Sequence, residues 1–342
     1  MELNEFKARL KDGRLGGCFI FAGEEDYLKR HYLSELRART AGDEAFRAFN
    51  HAVYEGAEIS FAALRDDIEA PPMMSDTKLI EWRYPVFDKM KESELKLLEQ
   101  TLELLEKYEY VTLAFLVADG ALELGTPKRE SKFERRFGKS IGILNFPTSS
   151  NAALISWLKK HFDAEDVGVT VSVLNALLFR SGHSMSVLSD EVKKLCAYAK
   201  ANGKGEITEA DVEAVASSTP ECDTFALANV VLERNKRLAY AALEEMKSRR
   251  IDPTVILGML ARSYAELCRV SNMLADGMDA SDIQTATGIN PYRLRLCISA
   301  AKRFTPEKLS NILDELVRVD TGAKYGGVTG YTAIELFIAK CV

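Results

Sequence analysis

Short apolar runs alternate with longer amphipathic segments over the first 147 residues. The runs that predict strands are "GCFIFAG", "KLIEW", "VTLAFLVA" and "IGILNF", with "FRAFNHAVY" as a possible fifth. The segments that predict helices between them are "DYLKRHYLSELRART", "SFAALRDDIEA" and "ESELKLLEQTLELLEK". This alternation predicts an α/β domain in which helices cover a mainly parallel sheet.

From about Thr148 strand-like runs become rare and helical periods dominate. Three helix starts combine a capping side chain with proline at the first helical position: Asp252-Pro253, Asn290-Pro291 and Thr305-Pro306. The segment "TVILGMLARSYAELCRVSNML" then places one apolar stripe along a helix, made of Ile256, Leu260, Tyr264, Leu267, Val270 and Leu274. The segment "YAKANGKGEITEADV", with its glycines and a Thr208 to Asp211 capping box, separates two helices of a small middle bundle. The remainder of the chain is therefore predicted to be all helical.

Composition places the chain among ordinary globular proteins. It has 342 residues, of which 47% are hydrophobic and 28% charged, and a length of this kind suggests two or three domains. The formal net charge of -6 gives no overall attraction to nucleic acid, so any contact with DNA requires a local patch. The six cysteines are scattered without a C-x-x-C pair, which favours reduced thiols and no metal site. We find no secretion signal and no apolar run near the ~20 residues of a membrane helix, and expect a soluble, cytoplasmic protein.

The glycine turn after the first predicted strand is where a nucleotide-binding protein would hold phosphate. In this chain Gly23 is followed by three carboxylates, Glu24 to Asp26, and the G-x-x-x-x-G-K-[ST] pattern is missing. Asp119, after a buried strand, has no acidic neighbour to polarise water. The four histidines are isolated and no G-x-S-x-G elbow occurs. We therefore expect no catalytic residue, no cofactor and no catalysis by this chain itself, with an unrecognised ATPase site as the enzyme alternative.

The segment Asp282 to Phe304, "DIQTATGINPYRLRLCISAAKRF", resembles a helix-turn-helix with a local cluster of positive charge. The cluster consists of Arg293, Arg295, Lys302 and Arg303. Its second helix begins with Pro291, Tyr292 and alternating leucines instead of polar side chains for base edges. Three interpretations stay open: a structural hairpin, non-specific contact with DNA, and a DNA-binding regulator.

Two further features have both a structural and a functional interpretation. In "EAPPMMSDTKLI" the apolar pair Met73 and Met74 follows two prolines and precedes a strand, so the loop either folds back into the core or exposes an anchor. In "GAKYGGVTGYTAIEL" a glycine-rich link carries Tyr325 beside Lys324. The tyrosine either packs over the loop or stacks on a nucleobase with the lysine near phosphate.

The order of these segments resembles a known family, the delta subunit of the bacterial DNA polymerase III clamp loader. The stretches that carry the resemblance are "FIFAGEEDYLKRHYLSELRA", "PPMMSDTKLIEWR", "LSDEVKKLCAYAKANGKGEITEADVEAVASSTPECDTFALANVV" and "GINPYRLRLCISAAKRFTPEKLSNILDELVRVDTGAKYG". They span almost the whole chain, and their order and spacing are more specific than any one of them.

The resemblance implies a fold and a set of partners. The implied fold is an α/β RecA-like, AAA+-type domain followed by two all-α domains, with boundaries at 1–147, 148–217 and 218–342. The first domain would lack a working nucleotide site and bind the sliding clamp (beta subunit). The second is a small lid-like domain, and the third would join the gamma/tau and delta-prime subunits in a circular collar. The chain would hold the clamp ring open while ATP-driven neighbours place it on primed DNA.

The resemblance also implies roles for individual residues. The clamp-binding element of the family is an apolar pair on a loop before a strand, which corresponds to Met73 and Met74 with Pro72 before them. Many relatives carry leucine or phenylalanine at this pair, so two methionines are a departure. Tyr325 and Tyr292 match aromatic positions that lie near the primer-template junction, and Lys324 adjoins the first. Contact with DNA would be weak, and the polymerase holoenzyme, not this chain, would catalyse nucleotidyl transfer.

Overall fold

The computed structural model describes residues 1–41, 44–125, 129–325 and 327–342. The chain divides into two compact units, Met1–Ser150 and Asn151–Val342. The boundary predicted at residue 217, within the second unit, stays a prediction.

The first unit is an α/β unit built on one parallel sheet. Its strands are β1 (Gly17–Ala22), β2 (His51–Glu55), β3 (Lys78–Arg83), β4 (Val111–Leu116) and β5 (Ile141–Asn145). Its α-helices are α1 (Leu3–Asp12), α2 (Asp26–Thr40), α3 (Arg47–Asn50), α4 (Phe61–Glu69), α5 (Glu92–Leu105) and α6 (Lys132–Phe137). Two 3-10 helices, Glu44–Phe46 and Phe87–Lys89, complete the elements of this unit that the structure describes.

The strand order is β2-β3-β4-β1-β5, and every pairing is parallel. All five predicted strands are present, and the parallel sheet covered by helices is confirmed. One prediction was wrong in part, because only the second half of "FRAFNHAVY" is a strand. Phe46 and Phe49 are three residues apart, a spacing that also fits a helical turn, and the chain uses it for the 3-10 helix and α3.

Both faces of the sheet are covered. Cys18 and Ile20 of β1 belong to one buried cluster, with side chains of α4, α5 and α6. Phe19 and Phe21, which alternate with them, belong to a second cluster with residues of α1 and α2. Burial on both faces explains why β4, "VTLAFL", is buried throughout and apolar at nearly every position.

The second unit is helical. Its helices are α7 (Asn151–Ala164), α8 (Val171–Ser181), α9 (Met185–Ala201), α10 (Glu209–Val215), α11 (Pro220–Leu232), α12 (Lys236–Ser248), α13 (Pro253–Ala275), α14 (Ala280–Thr287), α15 (Pro291–Arg303), α16 (Pro306–Lys324) and α17 (Tyr331–Cys341). The three predicted proline starts begin α13, α15 and α16, each with its side-chain cap. A fourth start of the same kind, Thr219-Pro220 before α11, was missed.

The long helix α13 organises the core of this unit. Its predicted stripe is fully buried from Ile256 to Val270, whereas Leu274 is partly buried. The predicted Thr208 to Asp211 capping box begins α10. Within the described ranges no helix is long and apolar enough to cross a membrane.

Candidate functional site

The loop between α4 and β3 carries the two methionines to the surface. Met74 is 79% exposed and Met73 is 46% exposed, and Pro72 is partly buried beside them. Of the two interpretations of this loop, the exposed one is therefore the one observed. Because β3 begins at Lys78, the loop lies at the amino end of its strand, and in a parallel sheet all amino ends share one edge.

A buried asparagine fixes the loop from below. The backbone N–H of Met73 donates to Oδ1 of Asn50 (2.7 Å), and Nδ2 of Asn50 donates to the carbonyl oxygen of Met73 (2.8 Å). Asn50 has no exposed surface and ends α3, immediately before β2. One primary amide thus pairs with both backbone polar groups of one residue, as a neighbouring strand would. This pairing could not be predicted from the sequence, since the two residues are 23 positions apart.

The exit of the loop is tied down as well. The hydroxyl of Thr77 donates to the carbonyl oxygen of Thr40 (3.0 Å), and the hydroxyl of Ser75 donates to the carbonyl oxygen of Thr77 (3.1 Å). The buried side chain of Lys78 donates from Nζ to the carbonyl oxygen of Asp67 on α4 (2.5 Å). The two methionines therefore project from a loop whose backbone is held at both ends.

Met74 has a backbone angle φ of 52°. This left-handed conformation is uncommon for a residue other than glycine and is unfavourable by roughly 1 to 2 kcal/mol. The surrounding hydrogen bonds offset that strain, since a residue stays in such a conformation only when its neighbours determine it.

Two exposed apolar side chains of the first unit are on this loop, and a third directly precedes the asparagine that binds it. Among the described residues of Met1–Ser150, the large apolar side chains with high exposure are Phe49, Val53, Met73 and Met74. Phe49 is 57% exposed and directly precedes Asn50, whose side chain binds Met73. Phe49 was not identified from the sequence, because its position on the surface depends on the turn of α3.

The carboxyl edge of the same sheet is closed by a lysine. Lys29 of α2 is completely buried, and its Nζ donates to the carbonyl oxygens of Gly23 (2.6 Å) and Val117 (2.9 Å). These carbonyls follow β1 and β4, the strands between which the chain order reverses. Nζ also lies 2.7 Å from a carboxylate oxygen of Asp26. A phosphate-binding lysine would have to direct its ammonium outward at this point, whereas Lys29 binds the protein's own backbone.

The glycine turn of this edge is packed closely as well. Gly23 has a φ of 104°, and a Cβ atom added there would lie 2.4 Å from the carbonyl oxygen of Phe146. The N–H of Glu25 donates to that same carbonyl. The turn is therefore pressed against the end of β5, which agrees with the expectation of a tight turn and an acidic helix start.

A buried carboxylate links β2, β3 and α2. Glu81 of β3 has no exposed surface and accepts hydrogen bonds from Arg37, Arg83 and His51 at 2.7 to 3.0 Å. Burial opposes the charged carboxylate, but these hydrogen bonds outweigh it and lower the pKa of Glu81 to about 2. The network stabilises the packing of α2 on the strands that carry the loop.

The positive charge predicted for α15 is mostly engaged within the second unit. Arg293 is buried, forms ion pairs with Glu221 and Glu266, and lies over the rings of Phe179 and Phe225. Two other members of the cluster also have acidic partners: Arg295 pairs with Glu209, and Arg303 pairs with Glu233. Of the three interpretations left open for Asp282 to Phe304, this geometry favours the structural hairpin.

The two candidate DNA-contacting tyrosines differ in exposure. Tyr325 is 86% exposed at the end of α16, and Lys324 beside it pairs with Asp320 (2.6 Å). Tyr292 is partly buried, with its ring 5.8 Å from that of Phe179 and under the guanidinium of Arg295. Tyr325 is therefore available for stacking, whereas much of the Tyr292 ring is covered.

Two family models match the chain in the same order as its units. Residues 19–123 match the model described as DNA polymerase III, delta subunit, and residues 221–341 match that of the DNA polymerase III delta subunit, C-terminal domain. Together the two ranges span about two thirds of the chain. This chain belongs to the DNA polymerase III delta subunit family.

Curated delta subunits match over almost their whole length. The chain is 22% identical to DNA polymerase III subunit delta of Bacillus subtilis over 339 residues, which is 97% of this chain and 94% of that protein. It is 26% identical to the probable delta subunit of Aquifex aeolicus, over 90% of this chain and 85% of the relative.

A solved structure shares the fold. The Bacillus subtilis DNA clamp loader delta protein matches 99% of this chain and 98% of its own, with a TM-score of 0.54 and 20% sequence identity. The chain is thus a DNA polymerase III delta subunit by family, which places it in DNA replication and confirms the family resemblance found in the sequence.

Proposed function

We propose that this chain binds the sliding clamp through the loop that carries Met73 and Met74, with Pro72 beside them, and stabilises the opened clamp ring. The observation that carries the proposal is the exposure of both methionines on a loop with a fixed backbone. A side chain that is 79% exposed, as in Met74, gains nearly all of its burial energy from a partner. Full burial of a methionine is worth roughly 1.5 to 3 kcal/mol.

Methionine suits this role although many relatives carry leucine or phenylalanine. Its thioether is apolar and its three rotatable bonds adapt to a pocket of irregular shape. Phe49 extends the apolar surface beside the pair and would lie at its margin. We expect the pair to supply most of the binding energy and Phe49 to supply less.

Ring opening requires no ATP in this chain. A subunit that binds the opened ring more tightly than the closed ring shifts the population toward the opened ring by that difference in affinity. The bonding of Lys29 to two backbone carbonyls supports a scaffold role for the sheet. In this proposal the gamma/tau subunits bind and hydrolyse ATP, and they and delta-prime join this chain through a collar formed by residues 218–342.

A weaker contact with primer-template DNA is part of the same proposal. The exposure of Tyr325 supports it as the stacking residue, with Lys324 near the phosphates, while the partial burial of Tyr292 makes it a marginal contributor. Stacking of a base on an aromatic side chain is worth roughly 1 to 3 kcal/mol. Tyr325→Ala should therefore weaken binding of primed DNA at least about fivefold by fluorescence anisotropy. Val328→Ala, in the same link, is the matched control and should have no effect.

Titration of the purified chain into the purified clamp tests the main proposal. The parent chain should form a complex, and the Met73→Ala/Met74→Ala variant should bind about a hundredfold more weakly or worse, because truncation of both methionines removes roughly 3 to 6 kcal/mol of apolar burial. Leu238→Ala removes another half-exposed apolar side chain, on α12, and serves as the control. Equal affinity of the parent and the double variant would refute the assignment.

A further inference from the structure

We infer that Asn50 is a positioning residue for clamp binding: it holds the methionine loop in its strained, exposed conformation before the partner arrives. This inference rests on the proposed function of the loop and adds a residue that itself would touch no partner. It explains why the Asn50 side chain, which has no exposed surface, is directed at one loop residue and bonds no neighbour in α3 or β2.

The chemistry of the pairing is specific to asparagine. The side-chain amide offers one acceptor and one donor on the same carbon, and these match the N–H and C=O of Met73 at 2.7 and 2.8 Å. Aspartate lacks the donor, and alanine lacks both groups. Because the Asn50 side chain itself is fully buried, its amide has few other partners and the cost of leaving it unpaired is high.

The strain at Met74 gives this pairing a consequence. A free loop would leave the left-handed conformation, since φ near 52° is unfavourable for methionine. Met73 directly precedes Met74. By binding both backbone polar groups of Met73, Asn50 fixes the orientation of the backbone that leads into Met74. Releasing Met73 would let the loop populate other conformations, and the apparent affinity for a partner falls with the fraction of molecules that are competent to bind.

Other residues hold the two ends of the loop, so Asn50 acts on the methionines in particular. Thr77 and Lys78, after the methionines, are held by Thr40 and Asp67, independently of Asn50. On the other side, the N–H of Ala70 donates to the carbonyl oxygen of Asp66 and completes α4. Removing the Asn50 side chain would therefore release the centre of the loop and leave both of its ends in place.

The test compares Asn50→Ala with Thr112→Ala. Thr112 of β4 is also buried in the first unit, but its hydroxyl donates to the carbonyl oxygen of Leu15 (2.7 Å) and not to the loop. Two quantities are measured for each variant: affinity for the purified clamp, and hydrogen exchange of the Met73 amide relative to that of Ile20 in β1, which pairs with neither substituted site. Hydrogen exchange reports the release of the loop without any reference to binding.

Asn50→Ala should weaken clamp binding about tenfold, which corresponds to about 1.4 kcal/mol, and should speed exchange at Met73 but not at Ile20. Thr112→Ala should change neither quantity more than twofold. Faster exchange at Met73 with unchanged clamp affinity would overturn the inference, as would an equal loss of affinity in both variants. The Met73→Ala/Met74→Ala variant separates the two proposals. If it binds normally, the proposed function itself fails; if it binds weakly while Asn50→Ala binds normally, only the role of Asn50 fails.

Discussion

The two edges of the parallel sheet contrast in what they do with their polar and apolar groups. At the carboxyl edge, a buried ammonium from Lys29 is bound by the carbonyl oxygens of Gly23 and Val117. At the amino edge, a buried amide from Asn50 binds the backbone of Met73 and leaves the methionine side chains exposed. Lys29 therefore occupies the carboxyl edge with bonds inside the protein, whereas Asn50 holds a loop whose methionine side chains stay exposed to a partner.

This contrast concerns the two ends of one open parallel α/β sheet. Ligands of open α/β sheets usually bind outside the carboxyl ends of the strands, where the strand order reverses. In this chain the side chain of Lys29 occupies that position and donates to the carbonyl oxygens of Gly23 and Val117. The exposed apolar residues lie instead at and beside the opposite edge, so we place the proposed function of the first unit there.

The largest expected effect concerns the character of the exposed pair. Met74→Glu should weaken clamp binding at least about a hundredfold, because an unpaired carboxylate would have to enter an apolar pocket. Met74→Leu should stay within about fivefold of the parent, because it keeps the apolar volume. Isothermal titration with the clamp measures both. Equal affinity of the glutamate and leucine variants would show that Met74 lies outside the contact.

The next effect concerns the network that joins α2 to β2 and β3. Glu81 has a pKa of about 2 in the folded chain against 4.5 as the ordinary value, so its stabilising effect is present above pH 4.5 and is lost as the pH falls toward 2. We expect Glu81→Gln to lower the free energy of unfolding by about 3 kcal/mol at pH 7 and to flatten its dependence on pH between 4.5 and 2.

Urea unfolding at several pH values measures this dependence. A Trp157→Phe background leaves buried Trp82, in β3, as the fluorescent reporter of the first unit. Glu103→Gln, at an exposed position of α5, is the matched control and should leave the curve unchanged. A Glu81→Gln variant with the parent's slope at acid pH would contradict the assignment.

A smaller effect on stability is expected from removing the ammonium of Lys29 at the carboxyl edge. Lys29→Met leaves two buried carbonyl oxygens without their donor and should lower the free energy of unfolding by about 2 kcal/mol. Lys96→Met removes an exposed ammonium of α5, in the same unit, so it should change stability by less than about 0.5 kcal/mol. Urea unfolding of the same kind compares them. Equal stability of the two variants would mean that Lys29 does not close the edge.

The last prediction is that ATP has no effect on the thermal stability of the chain. Millimolar ATP with magnesium should produce no thermal shift in the parent chain, because the ammonium at the carboxyl edge is bound within the protein. A thermal shift that disappears in Lys29→Met would identify a nucleotide site at the carboxyl edge and contradict the view that Lys29 serves only to bind the protein's own backbone.

Local patterns predicted the elements and the exposed loop well. The strands β1, β3, β4 and β5 follow from short apolar runs, and α13, α15 and α16 follow from a capping side chain with proline. The methionine loop could be located because two prolines and two methionines precede a strand without a helical or strand period. These signals lie within a few residues of one another, which is the range over which sequence periodicity is informative.

The contacts that define the two edges could not be predicted in this way. Lys29 binds Val117 over 88 positions, and Asn50 binds Met73 over 23 positions, so neither pairing leaves a periodic trace. Arg293 illustrates the opposite error. It was grouped with a local cluster of positive charge, yet it is buried and forms ion pairs with Glu221 and Glu266 from other helices. Tertiary ion pairing is what allows an arginine to be buried.

Methionine oxidation footprinting tests the central claim most directly. Met73 and Met74 are exposed, whereas Met185 and Met246 are buried and serve as internal references, and exposed thioethers are the ones that mild peroxide converts to sulfoxides. In the free chain the pair should oxidise quickly and the references slowly. With saturating clamp, oxidation of Met73 and Met74 should slow at least about tenfold. An unchanged rate for the pair in a fully formed complex would contradict the claim that this loop binds the clamp.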